Sequence, residues 1–433
     1  MFAILRPAGA ARIAAAIMGA AIAHAPAHSQ SLDQILPSAV AIHPKVQAAR
    51  AAARATGFEI EAAEAAWAPR FGVVADPGLT TNKTGGGSGS AGDLGIRGTK
   101  LIYDGGKTDA EIERQKARQS GAAQRIHVAV EQLAAQIADA YLESVKQQKL
   151  ADEARRNVDA HSDLVSRVAE IANVDRGRKS DLDQANARLE QAKVTLATRQ
   201  AALTEATAAL GALVQRRVAG LQPPRSAAPA MPASESAALA LIESHPAILA
   251  ARADVEVAEK AARVADKWRQ PRLDLQGTWG ADPAGTVNRK YFNTLDVRVV
   301  SNWTGFDGGA GQAAANAARE QQQAALDTLD STRRDLSTEV TRHWNAVQTR
   351  SDRAAAWERL VVQLSSVRDN YWEQFKIGRR SVLDLLNVEN EIFQARTNAQ
   401  TDAADQEQSR YRVLGATAKL GEFFSLPIPT ANK

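Results

Sequence analysis

Nothing in this chain of 433 residues is spaced for bond-breaking chemistry. Cys is absent, which removes thiol catalysis, a disulfide scaffold and a Cys-ligated metal site. The seven His show no close spacing that would hold zinc, and no nucleophile–base set or phosphate-binding glycine loop is present. The ionisable residues that do recur in a pattern are Asp183 and Asp384, each six residues after a glycine, Gly177 and Gly378, that is followed by Arg178 and Arg379. A carboxylate set at the same place in two copies suits the steering of charge, although a solvated carboxylate at a helix start is the bland alternative. His43-Pro44 recurs as His245-Pro246, and a His before Pro at a helix start reads as structural, not as a metal ligand.

These recurrences belong to a duplication of the chain. Trp67 returns as Trp268, Pro69-Arg70 as Pro271-Arg272 and Asp104-Gly105-Gly106 as Asp307-Gly308-Gly309, all with offsets of 201 to 203 residues. A unit this long is no solenoid repeat, so each copy is half of one symmetric object. Charge adds little, since removing Arg6 and Arg12 of the amino-terminal segment leaves 51 basic against 49 acidic residues. With no basic block standing out, nucleic acid is not expected as a partner. Residues 1–29 read as a signal peptide: Arg6 and Arg12 precede an apolar run, Ile13 to Ala23, followed by small residues at Ala25, Ala27 and Ser29.

Proline draws the elements that must carry the two Asp. None occurs from Gly78 to Gln222 or from Ala284 to Leu426, and an interior Pro costs a helix about 3 kcal/mol. Gly is nearly missing from Lys107 to Arg176 and from Gln312 to Ile377. Each half thus reads as a long helical hairpin, 107–214 and 310–419, whose tip lies at Gly177 or Gly378, the residue type that most readily reverses a chain. Ile126, Val130, Leu133, Ile137 and Tyr141, then Leu326, Leu329, Leu336, Val340 and Val347, give a coiled-coil seam. Shorter helical segments, Leu32 to Trp67 and Ala233 to Trp268, are expected to stack on the arms after the tips and flank the long arms.

Between short and long helix lie alternating segments, about 70–80 and 93–103, then 272–280 and 295–303. Their length suits a tilted transmembrane strand, about 9 to 11 residues, and Trp279, Tyr291, Phe292, Trp303 and Phe306 cluster near their ends as in an aromatic girdle. Four strands cannot close a barrel in lipid, so spanning requires oligomerisation, and three copies give twelve strands. The fold class expected is mainly α with transmembrane β. It consists of two tandem repeats, 30–220 and 233–421, joined by a Pro-rich linker 221–232 and followed by a tail 422–433. The trimer forms a 12-stranded β-barrel continued by a periplasmic α-helical barrel.

The run Phe375-Lys376-Ile377-Gly378-Arg379-Arg380-Ser381-Val382-Leu383-Asp384-Leu385-Leu386-Asn387 is similar to the periplasmic tip motif of TolC-type outer-membrane factors. Leu101 to Lys107 resembles their strand-to-helix junction, and the likeness covers Leu32 to Leu420. The resemblance implies a tunnel gate in which Asp183 links to Arg380, with Phe375 standing where the family has a Tyr and so lacking its hydroxyl link. It implies a selectivity ring at Asp384, where three carboxylates around a threefold axis favour cations; Asn387 stands where a second acidic ring occurs in some members. It implies adaptor-docking tips at Gly177, Arg178, Gly378, Arg379, Ser381 and Leu383. The expected protein is a homotrimeric outer-membrane channel-tunnel of a Gram-negative cell, the exit duct of a tripartite export system, without cofactor or metal and not an enzyme. Its partners are outer-membrane lipid, a periplasmic adaptor and, through that adaptor, an inner-membrane ABC exporter or RND pump. The tip wording resembles the type I protein secretion branch; the alternatives are RND-type multidrug or metal efflux, or, in another class, a periplasmic adaptor or structural coiled coil.

Overall fold

The computed structural model describes residues 31–82, 87–174, 176–281 and 293–426. The expected signal peptide 1–29, and Tyr291 and Phe292 of the expected girdle, lie outside them. The first repeat runs α1 (Leu32–Ile42), α2 (Pro44–Glu64), β1 (Arg70–Asn82), β2 (Gly87–Tyr103), α3 (Lys107–Val174) and α4 (Lys179–Val214). The second runs α5 (Glu235–Leu241), α6 (Pro246–Asp266), β3 (Arg272–Ala281), β4 (Asn293–Asn302), α7 (Ala310–Lys376) and α8 (Val382–Ala416), with a short α9 (Leu420–Phe423) after it.

Each expected short helical segment is broken in two. His43 and His245 are extended, with ψ of 134° and 133°, because the ring of a following Pro disfavours the helical region for the residue before it. Each His then caps the new helix: its Nδ1 accepts the N–H of Lys45 (3.2 Å) or of Ala247 (3.1 Å). The Pro supplies the first helical position, where its missing N–H costs nothing. The strands β1 and β2 also run further than the sequence suggests, because the ladder continues to Asn82↔Gly87 through Gly and Ser residues. Backbone groups pair there irrespective of side-chain type.

The four strands form one antiparallel sheet in the order β1-β2-β3-β4, which leaves β1 and β4 as edges among the described residues. The pairings Phe71↔Gly98, Val73↔Ile96, Ile96↔Trp279, Trp279↔Leu295, Gly277↔Val297 and Leu275↔Val299 put one apolar set on a single face. The opposite face carries Arg97, Thr278 and Asp296 in one row and Thr99, Gln276 and Arg298 in the next. At the sheet's helical end Asp104 accepts the N–H groups of Lys107 (3.0 Å) and Thr108 (2.8 Å) and so starts α3. Asp307 does the same for α7 through Gly309 and Gly311.

The long helices, of 68 and 67 residues, differ in burial. α3 buries 22 of its residues and α7 only 7. α3 packs against α2 and α4 of its own repeat and against α6 and α8 of the other, whereas α7 meets α6 and α8, with a small contact from α5. The expected seam is therefore fully buried in α3, while its counterpart in α7 is partial, with Val340 and Val347 buried and Leu326 exposed. The main core joins α1 (Ile35, Leu36), α3 (Leu133, Ile137, Tyr141), the end of α4 (Leu210, Val214) and Tyr411 of α8.

The segment 221–232 is strapped to this core. Leu221 and Ala227 are buried in it, Tyr141 Oη donates to Gln222 O and Tyr411 Oη to Arg225 O, both at 2.7 Å, and Arg225 lies over the Phe423 ring at 3.9 Å. The expected tail from residue 422 begins later than the sequence indicates, since Phe424 and Leu426 fold back into the same core. Leaving a buried carbonyl without its donor costs about 1–3 kcal/mol. Tyr141→Phe and Tyr411→Phe should each lower the melting temperature of the detergent-purified protein by several degrees, read by circular dichroism.

Where α8 ends, α6 begins, and His245 bridges them by a hydrogen bond with the Gly415 backbone in addition to its cap. His343, buried nearby, is pushed down from 6.5 to about 4, first by burial and then by Arg342, Arg412 and Arg350. The unfolded chain protonates it near 6.5, so its contribution to stability is complete above that pH and is lost as pH falls toward about 4. Glu131 runs oppositely. Burial pushes it up to about 7 against the N–H groups of Gly421 and Leu420 and the charge of Lys419, so its contribution is present below 4.5 and lost as pH rises through about 7. His343→Gln should lose less melting temperature than the parent between about pH 7 and about pH 5, and Glu131→Gln should gain relative to the parent at about pH 8 but not at about pH 5.

Candidate functional site

The two hairpin tips are built differently. α7 closes with Gly378 in the left-handed region, φ 74°, where its N–H bonds Phe375 O (3.0 Å) and the next N–H, of Arg379, bonds Gln374 O (2.9 Å). This is the six-to-one and five-to-two pairing that ends a helix on glycine. Ser381 then starts α8, its Oγ accepting the Leu383 N–H at 3.1 Å. Gly177 instead lies within a 3-10 turn, Arg176–Arg178. Both expected tip glycines lie at the reversals, Gly378 as a left-handed helix end and Gly177 in a 3-10 turn, which reverses the chain with ordinary φ values.

The tips are held to each other across the repeats by an apolar cluster of Leu164, Val168, Ala185, Phe375, Val382, Leu385 and Leu386. Phe375 sits fully buried in it. The Arg178 guanidinium lies 4.8 Å from the Phe375 ring, and Arg167 lies 5.2 Å from that of Trp372. Cation–π contacts of this kind contribute about 0.5–2 kcal/mol each. The Phe375 ring is thus packed between the first and second tips.

Asp183 and Arg380 are not brought together within the protomer. Asp183 is exposed, while Arg380 turns to its own repeat: its guanidinium stacks on Tyr371 (4.0 Å), its Nε donates to Gln374 Oε1 (3.2 Å), and Nη1 lies 3.6 Å from Asp384 Oδ2. The carboxylate of Asp384, on the first turn of α8, thus already has a cation beside it. Of the expected docking residues, Gly177, Gly378, Arg379, Ser381 and Leu383 are exposed and Arg178 is half-buried against Phe375.

Val174 and Ile377 escaped the sequence reading. Both are exposed apolar residues at the tips, 91% and 67% accessible, and their only signal was their place next to the turn. Just behind the tips Leu164, Arg167, Arg368, Trp372, Leu385 and Glu389 line a cleft of about 340 Å³. Burial there raises Glu389 above the usual carboxylate range, with Arg368 opposing. Among the described residues no group of His, Cys, Asp and Glu could hold a metal ion. Truncating a fully buried aromatic costs about 3–5 kcal/mol, so Phe375→Ala should speed amide exchange in residues 160–190 as well as 365–390, whereas Phe375→Leu should change the first of these far less.

The outer membrane efflux protein family matches residues 35–214 and 239–418, one match in each repeat. The outer membrane efflux protein BepC of Brucella suis biovar 1 (strain 1330) is 22% identical over 417 residues, covering 94% of this chain and 90% of BepC. The fold is similar to that of the CmeC outer membrane channel of Campylobacter jejuni, with a TM-score of 0.78 at 15% identity over 90% of this chain and 85% of CmeC. It is likewise similar to the outer membrane protein VceC of Vibrio cholerae, with a TM-score of 0.75 at 16% identity over 89% and 96% of the two chains. The two matched segments, the apolar sheet and the long helical hairpins give one conclusion: the chain belongs to the outer membrane efflux protein family, an outer-membrane channel protein and not an enzyme.

Proposed function

We propose that three copies of this chain close a twelve-stranded barrel in the outer membrane, continued into the periplasm by a tube of their helices, and that the assembly is the exit duct of a tripartite export machine. The observation that carries this reading is the sheet with one apolar face and two open edges. In hydrocarbon each unpaired backbone group costs several kcal/mol, and only closure on neighbouring copies removes the edges. The flank of α7 that meets neither α6 nor α8 is the helical counterpart of those edges.

At the tips, Asp183 of one subunit reaching Arg380 of the next would hold the tunnel shut, with Asp384 ringing the axis and its charge partly offset by Arg380. An adaptor would dock on Gly177, Gly378, Arg379, Ser381 and Leu383, with Val174 and Ile377 widening the apolar contact. The tip wording supports type I protein secretion with an ABC exporter. The likeness to BepC, an efflux protein by name, supports an efflux pump as the second reading. Deleting the gene separates them: loss of a secreted protein supports the first, and hypersensitivity to toxic small molecules with an intact secretome supports the second.

Two further outcomes are expected. Val297→Arg, which sets a charge on the apolar face at a cost of about 2–4 kcal/mol near the midplane, should remove heat-modifiable trimer from the outer-membrane fraction, while Thr278→Arg on the polar face, opposite Asp296, should leave it. Asp183→Ala with Arg380→Ala should raise single-channel conductance in planar bilayers, and unchanged conductance would remove the gate pair.

A further inference from the structure

The helical end of the sheet carries cations without acidic partners. Lys100 stands on the apolar face, opposite Leu275 and in line with Val299, which is an unusual place for a charge unless the ammonium reaches past the apolar band. Lys107 is the first residue of α3, and Arg269 lies in the turn that leads into β3. All three are exposed, and none forms an ion pair among the described residues. Lys267, beside them, gives its ammonium to Gly105 O at 2.8 Å.

The nearby acids are already engaged. Asp104 and Asp307 cap α3 and α7, Asp274 pairs with Arg272, and Asp266 pairs with Arg319. Asp109 remains exposed on α3, but a residue two positions from Lys107 does not face it on a helix. The result is a local excess of positive charge that the fold itself does not balance.

Exposed aromatic residues share this level. Trp303 follows the last residue of β4, 68% accessible, with its indole N–H donating to Arg269 O at 3.0 Å. Phe306 is 85% accessible and Phe71, on the apolar face, 76%. An indole that leaves its ring free while its N–H bonds the polar turn is the disposition of a side chain at a membrane–water boundary.

Resting on the membrane-spanning reading of the sheet, we propose that Lys100, Lys107, Lys267 and Arg269 form a basic collar that binds the phosphate headgroups of anionic glycerophospholipids in the periplasmic leaflet of the outer membrane. The aromatic side chains set the depth of the sheet and the cations choose the headgroup. Repeated around a trimer, the collar prefers anionic over zwitterionic lipid by electrostatic attraction that salt screens.

The test uses the full-length protein purified in detergent and titrated with phosphatidylglycerol or phosphatidylcholine, with bound lipids counted by native mass spectrometry. The parent should favour phosphatidylglycerol by about tenfold, less at high salt, and Lys100→Gln with Lys107→Gln and Arg269→Gln should reduce this to near parity without changing phosphatidylcholine binding. The three Lys-for-Arg or Arg-for-Lys exchanges should keep it, which separates charge from folding. Equal binding of the two lipids by an intact trimer, or a preference that survives the neutral variant, overturns the collar and leaves the channel reading standing. A monomer that fractionates with soluble proteins overturns both.

Discussion

A backbone N–H or C=O group in hydrocarbon has no water to bond, and a sheet of four strands leaves two rows of such groups at its edges. Antiparallel pairing satisfies the interior of the sheet from Arg70 to Asn302. The apolar set of Phe71, Val73, Ile96, Trp279, Leu295, Val297 and Val299 is exposed on one face, the face that the proposed barrel turns to lipid. The edges left at β1 and β4 are the ones that neighbouring copies close in the proposed barrel. The duplication follows the same logic: each repeat supplies one hairpin, and two hairpins side by side still leave two edges.

The helices carry the same asymmetry in water. α3 is enclosed by both repeats and buries apolar residues along most of its length, while α7, copied from the same ancestral helix pattern, keeps much of its surface open. Small residues let these helices approach on two flanks, as Gly311 against the Trp268 ring does at the top of α7. A thick core appears where α1, α9 and the segment 221–232 add a further layer outside α3. There the polar anchors are hydroxyls on linker carbonyls, and half-buried Glu131 and buried His343 lie close to the joint between α8 and α6.

At the tips the chain solves a coupling problem with rings and guanidinium groups. Phe375 is fully buried, and Arg178 of the other repeat covers its ring. Arg380 and Asp384 meet one turn apart within a single repeat. In the proposed tunnel, Arg380 would offset part of the charge that Asp384 offers to a passing ion.

Helix and strand were legible from local signals, because Pro, Gly and alternation act on the backbone within a few residues. The absence of Pro over two long stretches marked α3 with α4 and α7 with α8, and the period-two segments marked the strands. The breaks at His43 and His245 were legible in principle, since Pro restricts its predecessor, yet they were absorbed into longer helical segments. The offset of 201 to 203 residues gave the repeat itself. What the chain alone could not decide was which repeated residues differ in role: that Gly378 is left-handed while Gly177 lies in a 3-10 turn, that within the protomer Arg380 turns to Tyr371 and not to Asp183, and that Tyr141 and Tyr411 strap a linker 81 and 186 residues away. Those depend on distances between segments far apart in the chain, which only the packing of the helices fixes.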